Sequence, residues 1–465
     1  MTINRPGRHR RGGAAPEARA GRLTEIDLLR ITAASAVVLY HYTFSGWAGH
    51  LTSLRFPAVS VFTRYGYLGV DLFFLISGFV VLLSAWNRRP REFVVSRMVR
   101  LYPAFWVAVT ITAVIEITLS RGLFKVSVFQ YLANLTMANS LPNIRNIDVV
   151  YWTLWAEIRF YLIVFVLTWI GVTRRRVLTL MWGWLAATAV IESHALSAGV
   201  AEKLDLLVQS QWSHYFIGGM ALCLIYRTGL SWAPAVILVI CFGNALYQAA
   251  NFSDLVSDRY HQVLHVPVVL AIISMIFVVL TLVALRVTRR LGRPWFAALG
   301  ALTYPLYLVH AYSGFTLFNV FARQAGQLGH LGRWLLLGGV TVFMTGLAYA
   351  VHQVAEVRFA PRLKAGLTRL PGLRPVRRES RVTWIRRVPA ADGPGPGPRD
   401  GPAPSPGAVP RPTPRPTPRP TPWSTPRPAP RPAVSPAGQA RSHESQQTLR
   451  PLPPQASRQR AEDRG

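Results

Sequence analysis

Ten stretches of this chain are apolar for long enough to cross a bilayer, and nothing else in the sequence narrows its fold as much. They fall at approximately 26–47, 67–86, 99–119, 150–172, 177–196, 211–226, 231–250, 264–285, 295–319 and 334–354, and most approach the ~20 residues that a spanning helix needs. Length alone would suggest about three soluble domains. The apolar runs overrule that reading, with 51% of all residues hydrophobic despite a long polar tail. The expected fold is all-α: a polytopic membrane protein of about ten transmembrane helices with disordered tails at both ends.

Charge orients the expected bundle. Lysine and arginine total 51 against 20 aspartate and glutamate, but the excess sits in the two ends and a few loops. That distribution fits topology determinants and anionic lipid better than nucleic acid. Arg88, Arg89, Arg91, Arg97 and Arg100 fall in one loop region, Arg174 to Arg176 in another, and Arg286, Arg289, Arg290 and Arg293 in a third. With an even number of spans these loops and both termini share the cytoplasmic side of the cell membrane. The first run follows a basic, Arg- and Gly-rich segment at 1–24 without a small-residue cleavage pattern, so it is expected to stay as the first span. The two cysteines, Cys223 and Cys241, lie in separate apolar runs and suggest no disulfide framework. Beyond the membrane domain at 25–361, residues 362–465 form a Pro- and Arg-rich tail with an Arg-Pro-Thr-Pro repeat, a composition that favours polyproline II or disorder.

Several polar groups interrupt the spans where lipid would penalise them. Arg30 and His41 lie in the first span. At about 100° per residue their separation turns roughly 1100°, about 20° past three revolutions, with a rise of about 16 Å. Both therefore share a helix face, which should line a polar cavity inside the protein. Asp71 occurs in Gly66-Tyr67-Leu68-Gly69-Val70-Asp71, at the start of the second span. There it suits the positive end of a helix dipole, or orients an imidazole. Arg97 and Arg100 are one helical turn apart, fit either for anchoring or for phosphate recognition. Glu157 lies inside the fourth span, where Arg159 is a plausible salt-bridge partner. His310 ends Tyr304-Pro305-Leu306-Tyr307-Leu308-Val309-His310, in which Pro305 should kink the ninth span.

Helix direction puts His41, Asp71, Glu157 and His310 at similar depth in the outer half of the membrane, and Arg30, Arg97, Arg100 and Arg293 at the opposite face. The first four form the candidate catalytic group, with Asp71 or Glu157 orienting His41. The arginines form the candidate donor-binding group. His214, His261 and His265 lack tight metal-ligand spacing, so no metal is expected.

Together these motifs resemble the acyltransferase 3 family of integral-membrane O-acyltransferases, whose members acylate bacterial polysaccharides, lipid-linked sugars, nodulation factors and some macrolide antibiotics. The resemblance rests on Arg30 and His41, Gly66 to Phe79, Arg97-x-x-Arg100-x-x-Pro103, Trp152-Thr153-Leu154 with Glu157, Phe160 and Tyr161, and Tyr304 to His310. It implies ten core helices, acyl-CoA as the usual donor, and catalytic roles for Arg30 and His41. Some members carry a fused extracytoplasmic esterase-like domain; this chain has the Pro/Arg-rich tail instead, so a stand-alone enzyme is expected. The expected reaction transfers an acyl group, most simply acetyl, from acyl-CoA to a hydroxyl of a carbohydrate, glycolipid or glycosylated metabolite. No tightly bound cofactor is expected. The competing reading is a transporter or flippase of a glycan or lipid-linked substrate, since mid-membrane polar groups on kinked helices also mark transport pathways.

Overall fold

The structure, a computed structural model, describes residues 23–369. Helices make up its regular structure, with no strand among the described residues. The longer helices are α1 Thr24–Tyr40, α2 Gly69–Ala85, α3 Pro90–Leu119, α4 Trp152–Ile170, α5 Arg174–Glu192, α6 Ser210–Thr228, α7 Trp232–Tyr260, α8 Val266–Ala284, α9 Phe296–Val309, α10 Ala311–Gln327 and α11 Gly329–Val351. Local sequence explains several of their ends. Pro90 sits in the first turn of α3, where its missing N–H costs nothing, and Glu92 accepts from the Arg89 N–H. Thr173 caps α5 by accepting from the Arg176 N–H at 3.3 Å. Gly171 and Gly229 follow α4 and α6 with φ of 93° and 83°, a region that favours glycine.

Among the described residues six helical segments are long and apolar enough to cross a membrane: Pro57–Ala85, Pro90–Leu119, Val149–Ile170, Trp232–Tyr260, Val266–Ala284 and Gly329–Arg369. The protein is thus a multi-pass membrane protein, but the expected ten spans are not all met. The expected runs at 26–47, 177–196, 211–226 and 295–319 are not among them. The first helix carries Asp27, Arg30, Thr32, His41 and Thr43, and these polar groups dilute its apolar content. Helix α5 opens on Arg174, Arg175 and Arg176 and ends on Glu192. Helix α6 carries Ser210, Gln211, Ser213 and His214 near its start and Arg227 near its end, and it is buried without interruption from Trp212 to Ile225. The run at 295–319 breaks in two at His310, between α9 and α10. Helix α9 continues through Pro305 to Val309.

The helical segment that begins at Gly329 runs without interruption through Arg369, so Pro361 stands within it and helix continues a few residues past 361. The rest of the expected tail, and nearly all of 1–24, lie outside the described residues.

Apolar surface on α4, α7, α8 and α11 faces outward, with Trp169, Val239, Met275 and Val342 each more than half exposed, as a lipid-facing belt requires. Between helices, lipid offers no hydrophobic driving force, so association depends on close packing. The glycines of the second motif supply it. A Cβ at Gly69 would stand 2.7 Å from the Ala33 carbonyl oxygen of α1, and Gly66 abuts the Ala36 carbonyl. On another side of α2, Gly78 meets the Phe216 carbonyl while Gly219 of α6 meets that of Leu75. Backbone therefore touches backbone on both sides, and α2 is clamped between α1 and α6.

Candidate active site

His41 stands where the first helix changes character. Helix α1 is regular to Tyr40, then His41–Ser45 form a π-helical turn before Gly46–Ala48 resume α geometry. His310 stands in the break between α9 and α10 and is fully buried. The two rings meet nearly edge to face, with centroids 5.0 Å apart.

Their hydrogen bonds define which nitrogens carry protons. His310 Nδ1 lies 2.8 Å from the Tyr307 carbonyl oxygen, and His41 Nδ1 lies 2.9 Å from that of Val37. A carbonyl only accepts, so in both neutral rings the proton belongs on Nδ1. His310 Nε2 then presents a lone pair to His41 Nδ1–H at 3.1 Å. The consequence is that His41 Nε2 keeps its own lone pair, and it makes no hydrogen bond within the described residues. The pair is a base with its far side held by a second imidazole, in the place where a carboxylate usually stands.

A clasp from the loop before α4 holds His310 in place. Fully buried Asp148 accepts from the Tyr312 N–H at 2.9 Å and from the Val150 N–H at 3.1 Å. Tyr151 donates to the Leu308 carbonyl at 3.2 Å, and Tyr307 reaches both Thr153 and the Val150 carbonyl. Tyr42, next to His41, donates to the His310 carbonyl at 3.0 Å. Burial pushes the Asp148 carboxyl up to about 7, with its two backbone donors pulling the other way. Sequence reasoning missed Asp148. Its one local signal is a carboxylate between Ile147 and Val149, directly before an apolar helix, which reads as an ordinary cap.

The expected carboxylates sit elsewhere. Asp71 lies on the α6 side of α2, facing the Tyr215 hydroxyl in a cavity of ≈ 10 Å³ with Gln211, Trp212 and Gln248. Neither it nor Glu157 hydrogen-bonds His41. Asp71 is one residue, or about 100°, away from the stripe of α2 that faces the site. Glu157 accepts from Ser77 at 3.2 Å and from the Tyr161 hydroxyl. It shares electrostatic surroundings with Arg30 and Tyr304, so it belongs with the arginines rather than with His41. Arg159 turns instead to the Leu206 carbonyl and the Trp155 ring.

Three of the four expected arginines gather around Glu157. Arg30 pairs with Asp27 at 3.6 Å and lies in the field of Arg100 and Glu157. Arg97 lies over the Phe93 and Tyr161 rings and donates to Ser84 at 3.3 Å. Arg100 pairs with Glu356 at 3.2 Å, and Glu356 in turn meets His352 at 2.7 Å. Arg293 is exposed beside the turn before α9 and has no side-chain contact with this group among the described residues. The short segment after α8 places it on the rim, because the chain there has not yet entered the bundle.

A half-exposed stripe connects the two groups. Val70, Phe73, Ser77, Val80 and Ser84 recur at helical spacing along the otherwise buried face of α2. Phe73 touches Tyr307 beneath His310, Ser77 reaches Glu157 and Ser84 reaches Arg97. Arg30 retains 26% side-chain exposure amid charges from other helices. The half-exposed residues of α2 thus touch both groups, Phe73 at the imidazole end and Ser77 and Ser84 at the arginine end.

An all-helical membrane protein with a buried imidazole pair and an arginine group fits the architecture expected of a membrane acyltransferase. The chain is a member of the acyltransferase 3 family, whose acyltransferase-domain model matches residues 23–353. It is 27% identical over 365 residues to the putative membrane-bound transacylase BcsY of Komagataeibacter xylinus, a match covering 70% of this chain and 84% of that one. It is also 28% identical over 161 residues to the peptidoglycan O-acetyltransferase OatA of Listeria monocytogenes, covering 30% of this chain and 23% of that much longer relative. No solved structure matches.

Proposed function

We propose that the protein is an acyl-CoA-dependent O-acyltransferase that carries an acetyl group to a carbohydrate hydroxyl. The observation that carries this reading is the His41–His310 pair, in which the His41 ring is braced through Nδ1 by Val37 and His310 and Nε2 keeps its lone pair. In the proposed reaction His41 Nε2 removes the acceptor hydroxyl proton as oxygen attacks the thioester carbon. The resulting imidazolium holds its charge against His310 Nε2. When the C–S bond breaks, His41 returns that proton to the departing CoA thiolate, so ester and thiol form with no net proton change. His310 serves as the positioning partner.

Arg30, Arg97 and Arg100 suit the CoA phosphates, because guanidinium groups donate in parallel and stay charged. Arginine-rich loops favour the cytoplasm, so donor phosphates would bind on that side and the thioester would pass along the α2 stripe to His41. The name of OatA specifies peptidoglycan as the polymer on which that relative acts, which supports a carbohydrate acceptor here.

Purified protein given radiolabelled acetyl-CoA tests the proposal. Slow thioester hydrolysis or transfer is expected from the wild type and its loss from His41→Ala; wild-type protein that leaves acetyl-CoA intact refutes it.

A further inference from the structure

Three carboxylates stand among the arginines of the candidate donor-binding group, and they differ in how firmly they are held. Asp27 lies one turn before Arg30 on α1, and a Cβ at Gly300 of α9 would come within 2.7 Å of the Asp27 Cβ, so this side chain is packed in place. Glu157 accepts from Ser77 at 3.2 Å and from the Tyr161 hydroxyl, which fix it between α2 and α4. Glu356 is divided instead between two basic side chains. Its Oε1 stands 3.2 Å from Arg100 Nη1 and its Oε2 stands 2.7 Å from His352 Nδ1. A carboxylate only accepts, so His352 Nδ1 carries a proton in this contact.

Backbone geometry produces the bridge. After Val351 helix α11 gives way to a π-helical segment, His352–Phe359, and the Ala360 N–H returns to the Ala355 carbonyl five residues back. In an α-helix, residues four apart stand about 40° from one another around the axis. A π segment has more residues per turn and brings them closer to one line. The carboxylate of residue 356 therefore meets His352 along its own helix while it reaches across to Arg100 of α3.

Arg100 has a support that does not depend on Glu356. Its guanidinium carbon lies 5.7 Å from the centre of the Tyr304 ring, and the Tyr304 hydroxyl is tied to the Leu101 carbonyl at 3.1 Å. The Arg100 side chain is also 42% exposed, against 12% for that of Glu356. An anion arriving from solvent can thus meet Arg100 where it stands, while Glu356 keeps its bond to His352. The carboxylate is then never left buried and unpaired, which is what makes breaking an ion pair costly.

We infer that Glu356 is an exchangeable counter-anion of the donor site: it competes with the donor's phosphates for Arg100, and His352 holds it when it yields. The inference rests on the acyltransferase reading above. Acetyl-CoA turnover by purified protein at low salt, where exposed charges are least screened, tests it. His352→Ala leaves Arg100 as the one basic partner of Glu356 among the described residues. Donor KM should then rise about two- to fivefold while kcat stays within about twofold of wild type. His352→Gln puts an amide N–H back within reach of Glu356 and should return KM to within about 1.5-fold of wild type. In a Glu356→Gln background, His352→Ala should leave KM unchanged. A rise in KM of less than about 1.5-fold in His352→Ala, one that His352→Gln does not reverse, or one that persists in the Glu356→Gln background overturns the exchange. His352→Phe, held to the same outcomes, takes the place of His352→Ala if that variant does not fold. Wild-type protein that leaves acetyl-CoA intact refutes the acyltransferase reading instead.

Discussion

Replacing His310 with alanine tests the imidazole pair directly. The substitution removes the lone pair that receives His41 Nδ1–H at 3.1 Å, but leaves the 2.9 Å bond to the Val37 carbonyl. His41 thus keeps its tautomer and loses the partner that supports it once protonated. A hydrogen bond to a charged group is worth about 1.5–3 kcal/mol. At about 1.36 kcal/mol per factor of ten, kcat should fall about 10- to 160-fold. His41→Ala removes the base itself and should cost about 10²- to 10⁴-fold. His310→Gln restores an acceptor near the lost Nε2 and should recover kcat to within about fivefold of wild type. Tyr42 bonds the main-chain carbonyl of residue 310, so that contact survives every substitution. Acetyl-CoA turnover by monodisperse purified protein is the assay. A His310→Ala enzyme within about threefold of wild type, or a His310→Gln enzyme that falls as far as the alanine variant, refutes the bracing role.

Asp148→Asn leaves one acceptor for the two N–H groups that Asp148 now serves, so kcat should drop about tenfold with donor KM retained. The carboxyl titrates near 7 when folded, against about 3.9 when unfolded. Its contribution to stability is therefore greatest below pH ~4 and is lost as pH rises through about 7. Thermal midpoints at a series of pH values should show that slope in wild type and a shallower one in Asp148→Asn. Glu356→Gln releases Arg100 from its 3.2 Å ion pair; as the arginine is partly exposed, donor KM should fall by no more than about fivefold, most clearly at low salt. Gly219→Leu forces a side chain into the α2 backbone at Leu75 and Gly78, so the protein should lose its monodisperse peak in size-exclusion chromatography.

How far the sequence could be read depended on which kind of signal each residue carries. Arg30, His41 and His310 are polar groups inside apolar runs, where burial has to be compensated, so hydropathy alone exposed them. Glu157 was found for the same reason but assigned to the wrong partner. Depth places a residue along a helix axis; it does not say which way the side chain turns. Asp71 shows the same limit, since a rotation of about 100° separates the site-facing stripe from the α6 interface. Asp148 escaped because its partners are backbone N–H groups at 150 and 312, and backbone donors leave no trace in residue identity. Six of the ten expected spans recur as long apolar helices among the described residues. Apolar runs report burial, whether in lipid or in protein, and α6 is buried by its neighbours.

The phase relation between Arg30 and His41 depends on where the helix changes. Regular α geometry continues to Tyr40, so rotation accumulates at about 100° per residue up to His41. Beginning at His41, the π turn runs through Ser45 and Gly46 N–H returns to the His41 carbonyl five residues back. Thr43 meets the Leu39 carbonyl through its hydroxyl, giving that part of the wide turn a side-chain donor. Had the π turn begun one helical turn earlier, the rotation between the two residues would have departed from the α-helical phase. The same wide turn shifts every residue after it relative to an α-helix. That shift carries Gly46 against Phe315. π turns are costly and cluster at functional sites; here the irregularity begins at His41 itself, the residue whose Nδ1 meets both the Val37 carbonyl and His310.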